Sequence, residues 1–414
     1  MRPRKWGKFP ISQRKKPYSG RLLRGSAFCA LAGAICTGAY GSTYYVSTGG
    51  RDSNSGAEQA PFRRISKAAE AARSPGDTVI VLDGVFDNEG IVTNYETVRS
   101  VVSLRNSGIE GRPITFRALH RGRAILDAGS TSPSGCNGAW AYFDLLNSSW
   151  IVIEGFVIRH GCYNGIRSND RAHDVVIRWN DFGDIGNWEN PAGPSSPSGI
   201  YLNHTESRFT FDGNSFHNIG GGSNFNQQHA IYTAASHVSI VNNIFYDITH
   251  GWAIQTAGGS GVLIANNTFA ATNSHRSGQI ELWDDEKPGS LANVTVRNNI
   301  FYRPSEIAIV TTLRGPIAGS CYIDHNVSTV RHLYDGGSPC NVRDNRTSID
   351  PKFASLSKRF DFHLLPGSPA IRAGITIPEV THDFDDHPWG ASVPPDAGAL
   401  AFVDTQSRPA HGSF

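Results

Sequence analysis

Apolar positions along this chain recur in two short patterns that alternate. In the first, an Ile follows Gly or Ala in every copy but one, where Gln precedes it, and a polar or aromatic residue follows it in every copy but the last. Copies are Gly199-Ile200-Tyr201-Leu202, Ala230-Ile231-Tyr232-Thr233, Ala253-Ile254-Gln255-Thr256, Gln279-Ile280-Glu281-Leu282 and Ala308-Ile309-Val310-Thr311, with a weaker copy at Gly165-Ile166-Arg167-Ser168. The second pattern is Asn-x-Phe, at Asn180-Asp181-Phe182, Asn214-Ser215-Phe216, Asn243-Ile244-Phe245, Asn267-Thr268-Phe269 and Asn299-Ile300-Phe301. The two return at a period of about 20–35 residues, the range of solenoid repeats. Ahead of each Asn-x-Phe lies a strand-like alternation, as in Val175-Val176-Ile177, Phe209-Thr210-Phe211 and Val262-Leu263-Ile264. Such alternation predicts strands buried on one face.

Stacked strands lie about 4.8 Å apart. Repeated Phe, Ile and Asn positions therefore predict an internal ring stack, an Ile stack and an amide ladder. Asn also tolerates the left-handed backbone of tight turns. The fold class expected is all-β, a parallel β-helix. Short strands without helical patterns between them argue against a doubly wound sheet or a TIM barrel. A solenoid needs a cap on its first coil. Phe62 to Arg73, with Ile65, Ala68, Ala69 and Ala72 at helical spacing behind Pro61, is the expected N-terminal capping helix. Domain boundaries follow: a leader at 1–41, then one domain over 42–414, with cap and first coils at 42–130, regular coils at 150–330 and C-terminal coils and cap at 345–414.

Both ends of the chain strengthen this. Tyr44-Tyr45-Val46-Ser47, Gly56, Pro61-Phe62, Ile65, Ala68-Ala69, Pro75-Gly76-Asp77-Thr78-Val79 and Pro113-Ile114 open it. Asp350-Pro351-Lys352-Phe353, Asp361-Phe362-His363-Leu364, Gly367-Ser368-Pro369-Ala370-Ile371, Asp383-Phe384-Asp385 and Asp396-Ala397-Gly398-Ala399 close it. With the coils between them, these segments resemble secreted right-handed parallel β-helix proteins of the pectate-lyase-like superfamily. The resemblance implies the hand of the helix and a packing role for the tail. It says little about activity, because that scaffold serves lyases, hydrolases, epimerases and adhesins.

Charge and cysteines narrow the setting. Met1 to Arg24 holds nine Lys or Arg and no acid, and an apolar run, Ala27 to Ala39, follows with small residues at Ala39-Tyr40-Gly41. This reads as a secretory signal, and the run is short for a bilayer span. Without those nine, 38 basic residues against 36 acids become 29 against 36, about −7. A net acidic chain excludes a nucleic-acid partner. An acidic polysaccharide needs only a local basic pocket. The expected state is a monomer, extracellular or periplasmic, with no membrane contact after cleavage. Four cysteines remain beyond the leader; three pairings are open to them, of which proximity favours Cys136 with Cys162 and Cys321 with Cys340.

Candidate chemistry lies on the outward side of the Ile pattern. If each Ile points inward, the next residue points out. That row reads Arg167, Tyr201, Tyr232, Gln255, Glu281, Val310, and a second row reads Asn169, Asn203, Ala234, Ala257, Trp283, Thr312. Aromatic faces beside amides and charges suit sugar rings. Insertions at Asp184 to Pro197, Asn218 to Gln228 and Asp284 to Ser290 would wall this strip into a cleft. A plain solvated sheet would carry similar residues.

The activity expected is lyase-type β-elimination on a uronate-containing glycan. It needs a base, a proton donor for the leaving oxygen and a group that stabilises the carboxylate dianion. His229, His250 or Lys287 are candidate bases, and Tyr232 or Tyr201 candidate acids. Arg167, Arg314 or Gln255 would face the carboxylate, with Trp252 and Trp283 as further sugar contacts. Lyases of the resembled family often use calcium, for which Glu281, Asp284 and Asp285 are the candidate oxygen ligands. Glycoside hydrolysis, with Glu281 and Asp284 or Asp285 as a carboxylate pair, is the alternative. His250-Gly251-Trp252 stands where polygalacturonase-like members carry Gly-His-Gly, but their other motifs are missing. The Asp-Pro-His of alginate epimerases is absent, since Asp350-Pro351 continues with Lys352. A non-catalytic glycan-binding role completes the alternatives.

Overall fold

Each regular coil turns at an asparagine whose side chain lies inside the solenoid. Asn180, Asn214, Asn243, Asn267, Asn299, Asn326 and Asn345 form one continuous ladder. The Oδ1 of Asn243 accepts the backbone N–H of Asn214 at 2.9 Å and its Nδ2 at 3.0 Å. The Nδ2 of Asn243 in turn donates to Asn267 Oδ1, to Phe211 O and to Val241 O. The ladder thus satisfies backbone groups that the turn leaves without strand partners, in a place water does not reach. Its chemistry was expected, but the left-handed residue is the one before it. Trp179, Asn242, Asn266, Asn298, His325 and Asp344 have φ of 55°, 57°, 52°, 57°, 55° and 54°. The ladder asparagine is spent on hydrogen bonds, and its predecessor makes the bend.

The computed structural model describes residues 41–87, 92–93, 99–127, 141–161, 163–168, 170–186, 197–220, 227–248, 250–270, 278–356, 360–389 and 394–403. Among them, one helix and many short strands wind into three long sheets, with eleven, nine and nine strands. Neighbours within each sheet are successive coils and pair in parallel, apart from an antiparallel pair at Val92–Thr93 and Arg99–Leu104. The first sheet runs from Thr43–Val46 to Asn341–Arg343, the second from Gly84–Phe86 to Val327–Ser328, and the third from Val92–Thr93 to Ile309–Thr312. This is a right-handed parallel β-helix.

Phe182, Phe216, Phe245, Phe269 and Phe301 stack inside the second sheet with centroids 4.8–5.0 Å apart and planes within 8°. Each buried ring contributes about 1.5–3 kcal/mol through burial and about 0.5–1.5 kcal/mol more per ring pair. Opposite them, Phe143, Ile166, Ile200, Ile231, Ile254, Ile280 and Ile309 share one register on the third sheet. The glycine before Ile166 and before Ile200 has a cause. A Cβ on Gly199 would sit 3.1 Å from Phe216 Cδ1, and one on Gly165 would sit 2.8 Å from Phe182 Cδ1.

The capping helix is shorter than expected, at Ile65–Ala71. Phe62 is instead tied to the first strand, its N–H donating to Tyr45 O and its carbonyl accepting from Ser47 N–H. At the other end, Asp77 Oδ2 takes the N–H groups of Arg73 and Ser74 and stops the helix. Ile65, Ala68 and Ala69 are buried in the same core as the first coils. At the far end, Phe353, Phe362, Leu364, Phe384, Ala397 and Leu400 pack with Ile244, Ala270, Ile300 and Tyr302, which face outward from the second sheet. Ile377 and Val380 cover Val241 and Ala265 of the first sheet. Neither cluster includes a residue of the third sheet.

Cys321 and Cys340 form a disulfide. The expected Cys136–Cys162 pair and the leader as far as residue 40 lie outside the described residues. Among the described residues no helix is long and apolar enough to cross a membrane.

Cutting the ladder in its middle should be costly. Asn243→Ala strands the buried N–H of Asn214 and two carbonyls, each worth about 1–3 kcal/mol when unsatisfied. Urea unfolding should therefore show a loss of about 3 kcal/mol or more. A loss under about 0.5 kcal/mol, the scale of a neutral surface change, would mean the ladder is decorative.

Candidate functional site

Among the described residues, the third sheet is the face that the C-terminal tail's apolar clusters leave uncovered. Its outward row, in register from coil to coil, is Asp144, Arg167, Tyr201, Tyr232, Gln255, Glu281, Val310. The expected row is therefore present, with Asp144 added at one end. It is less open than a solvated sheet, since Asp144, Arg167, Gln255 and Glu281 are all buried and the two tyrosines half-buried. Of the second row, Thr312 and Trp283 flank Glu281, Ala234 and Ala257 are buried, and Asn169 lies outside the described residues.

Tyr201 and Tyr232 lie ring on ring, 5.0 Å apart and 4° from parallel. Burial pushes both phenols above their ordinary pKa. The Asp285 carboxylate adds to this at both rings, while Arg167 opposes it at Tyr201. Both are therefore protonated at neutral pH. Neither hydroxyl has a hydrogen-bond partner among the described residues, so each is available as a donor. Next along the row, Gln255 Nε2 donates to Glu281 Oε2, and Thr312 Oγ1 donates to Glu281 Oε1 at 2.6 Å. Burial raises the Glu281 pKa and outweighs those two hydrogen bonds, which act to lower it.

His229 packs against this pair from the side. Its ring lies 6.0 Å from Tyr232 and stacks on Trp252 at 5.7 Å and 16°. The backbone N–H of Trp252 donates to His229 Nδ1 at 3.2 Å. That bond occupies the Nδ1 lone pair, so the neutral ring carries its proton on Nε2. His229 is then arranged to donate, and abstraction of a proton through Nδ1 would break the turn. The turn has no room to relax, because a Cβ at Gly251 would lie 2.9 Å from His229 Nδ1 and 2.1 Å from Gln228 O. His250 sits half-buried one residue earlier.

The Asp284 to Ser290 segment folds back over the strip. Asp284 is buried and anchors the loop, Oδ2 accepting the N–H groups of Arg314 at 2.8 Å and Gly315 at 3.3 Å. Its carbonyl accepts from Lys287 N–H and Ser290 Oγ. Asp285 reaches the coil of Tyr201, where its Oδ2 meets His204 Nε2 at 3.1 Å, and it also takes Lys287 Nζ at 2.6 Å. Arg314 is exposed and pairs with Glu286 at 3.4 Å.

This arrangement separates the three acids considered for calcium. One oxygen of Asp284 takes backbone donors while its buried Oδ1 has no hydrogen-bond partner among the described residues, both oxygens of Glu281 face hydrogen-bond donors, and Asp285 pairs with cations. Among the described residues no three His, Cys, Asp or Glu side chains converge to hold a metal ion. Asp144 and His204 escaped sequence reading. Asp144 precedes the first recognisable Ile copy, its coil reading Tyr142-Phe143-Asp144-Leu145. His204 follows a strand whose repeat ends at Leu202, and only the folded loop brings a partner to it.

Comparison with known proteins agrees with the geometry. A family model described as "Right handed beta helix region" matches residues 143–347. An uncharacterised protein of Bacillus subtilis (strain 168), YwoF, is 32% identical over 92 residues, which are 22% of this chain and 17% of YwoF, so the match spans about a sixth of that relative. The pectate lyase Pel9A superimposes with a TM-score of 0.54 at 16% identity, over 88% of this chain and 97% of its own. The alginate lyase of Paenibacillus sp. str. FPU-7 gives 0.49 at 18%, over 68% and 92%. At such identities the solved structures speak for the fold alone. Coils, register and family match together make this chain a right-handed parallel β-helix protein, similar in fold to the pectate lyase Pel9A.

Proposed function

We propose that this chain binds a uronate-containing polysaccharide along its third sheet and cleaves it by β-elimination. The observation that carries the reading is Arg167, a buried guanidinium in register with the Tyr201–Tyr232 pair. Elimination beside a carboxylate builds negative charge on that carboxylate as the proton leaves. A guanidinium in a poorly hydrated place stabilises such charge more strongly than one in water. The leaving oxygen needs a proton, and a phenol held protonated supplies it. Tyr232 fills that role, with Tyr201 beside it as a platform for a sugar face. Trp283 extends the aromatic surface.

Hydrolysis is favoured by one observation of its own. Glu281 is held toward its protonated form, as a general acid would be. Its proposed partner would be Asp285, since Asp284 serves the loop backbone.

Three measurements test this. Incubation with alginate, pectate and glycosaminoglycan panels should yield ultraviolet absorbance from unsaturated products. Arg167→Ala and Tyr232→Phe should each lower kcat/KM about 10²-fold or more with the fold intact. Reducing ends without absorbance would replace elimination by hydrolysis, and binding with neither signal would leave a glycan-binding protein. For Glu281, a folded pKa above the unfolded 4.5 means stability fully present below that value and lost as pH rises through the raised one. Thermal melts of the wild type from pH 4 to 8 should therefore fall relative to Glu281→Gln. Parallel curves would refute the burial argument.

A further inference from the structure

We propose that His204 is the base that abstracts the proton in this elimination, oriented by Asp285, an inference that rests on the lyase reading above. His204 Nε2 lies 3.1 Å from Asp285 Oδ2. Bonded this way, Nε2 carries the proton and Nδ1 presents the lone pair. The side chain is 42% exposed, open to a bound polymer, and its backbone N–H is tied to Asn203 Oδ1 at 2.9 Å. Compare the other candidates. His229 has its Nδ1 lone pair occupied by Trp252 N–H. Lys287 is held as a charged partner of Asp285 at 2.6 Å.

One further observation bears on the position of this pair: the charge of Asp285 is felt at both Tyr201 and Tyr232. Asp285 is the charged group against His204; Lys287 shares that carboxylate, and the same carboxylate acts on Tyr201 and Tyr232.

The step balances without an added reagent. His204 Nδ1 takes the proton on the carbon next to the uronate carboxylate. The released pair forms the ring double bond, and the bond to the glycosidic oxygen breaks. That oxygen takes the Tyr232 proton. The imidazolium and the phenolate are restored by proton exchange through solvent.

The test uses the full chain on whichever uronate glycan the wild type cleaves. His204→Ala should lower kcat about 10²-fold or more, with KM within about threefold and oligosaccharide binding retained. Added imidazole should restore about tenfold of the lost rate, which a merely structural role would not allow. Asp285→Asn should lower kcat about 10-fold or more, comparable to the loss of an orienting partner. Elimination kept within about threefold in His204→Ala would overturn the assignment and leave the lyase reading standing. So would abolition by Lys287→Ala with His204→Ala active. A wild type that gives no unsaturated product on any uronate glycan removes the lyase reading and this base together.

Discussion

A turn inside a solenoid must satisfy its backbone without water, and here one side chain per coil does so. The asparagine ladder joins seven coils through paired Nδ2–H···Oδ1 and N–H···Oδ1 bonds. Because each amide is tied to the next, a coil cannot slip by one residue without losing several bonds. Register follows from that, and with it the ring stack on one side and the Ile stack on the other. It also follows that residues one step past each Ile line up outside.

The three sheets then meet different fates. The tail from Phe353 to Leu400 covers outward residues of the second sheet and part of the first. Elsewhere on the first sheet, charges alternate along the coils. Arg178 Nε meets Glu154 at 2.6 Å, and Arg297 bonds both oxygens of Asp324. Pairs of that kind neutralise themselves. The third sheet keeps Asp144, Arg167, two protonated phenols, Gln255 and Glu281 in one row, with burial raising the Glu281 pKa. The loop bearing Asp285 crosses toward the same coils.

The fold was legible because its repeats are local. Asn-x-Phe and the small-residue-Ile pattern carry their register in the sequence, and both appear where their spacing puts them. The details that failed depend on contacts distant along the chain. Helix length was overestimated because Phe62 pairs with Tyr45, a partner that periodicity cannot show. The left-handed turn residue was misplaced by one, since Asn242-Asn243, Asn266-Asn267 and Asn298-Asn299 are doublets and only the fold separates their jobs. For the site, the outward row was readable, whereas its electrostatics were not. Four neighbouring acids looked alike in sequence. Folding makes Asp284 a loop anchor, gives Asp285 to His204 and Lys287, pairs Glu286 with Arg314 and buries Glu281. His204 had no signal at all until that loop closed on it.

The central claim is that a polymer lies on the third sheet across Tyr201 and Tyr232. Hydroxyl-radical footprinting with and without a saturating uronate oligosaccharide addresses it at the level of side chains. Tyr201, Tyr232 and Trp283 should lose reactivity in the complex. Trp150, half-buried on the first sheet, should keep its own. Protection of Trp150 with Tyr201 and Tyr232 unchanged would contradict the account.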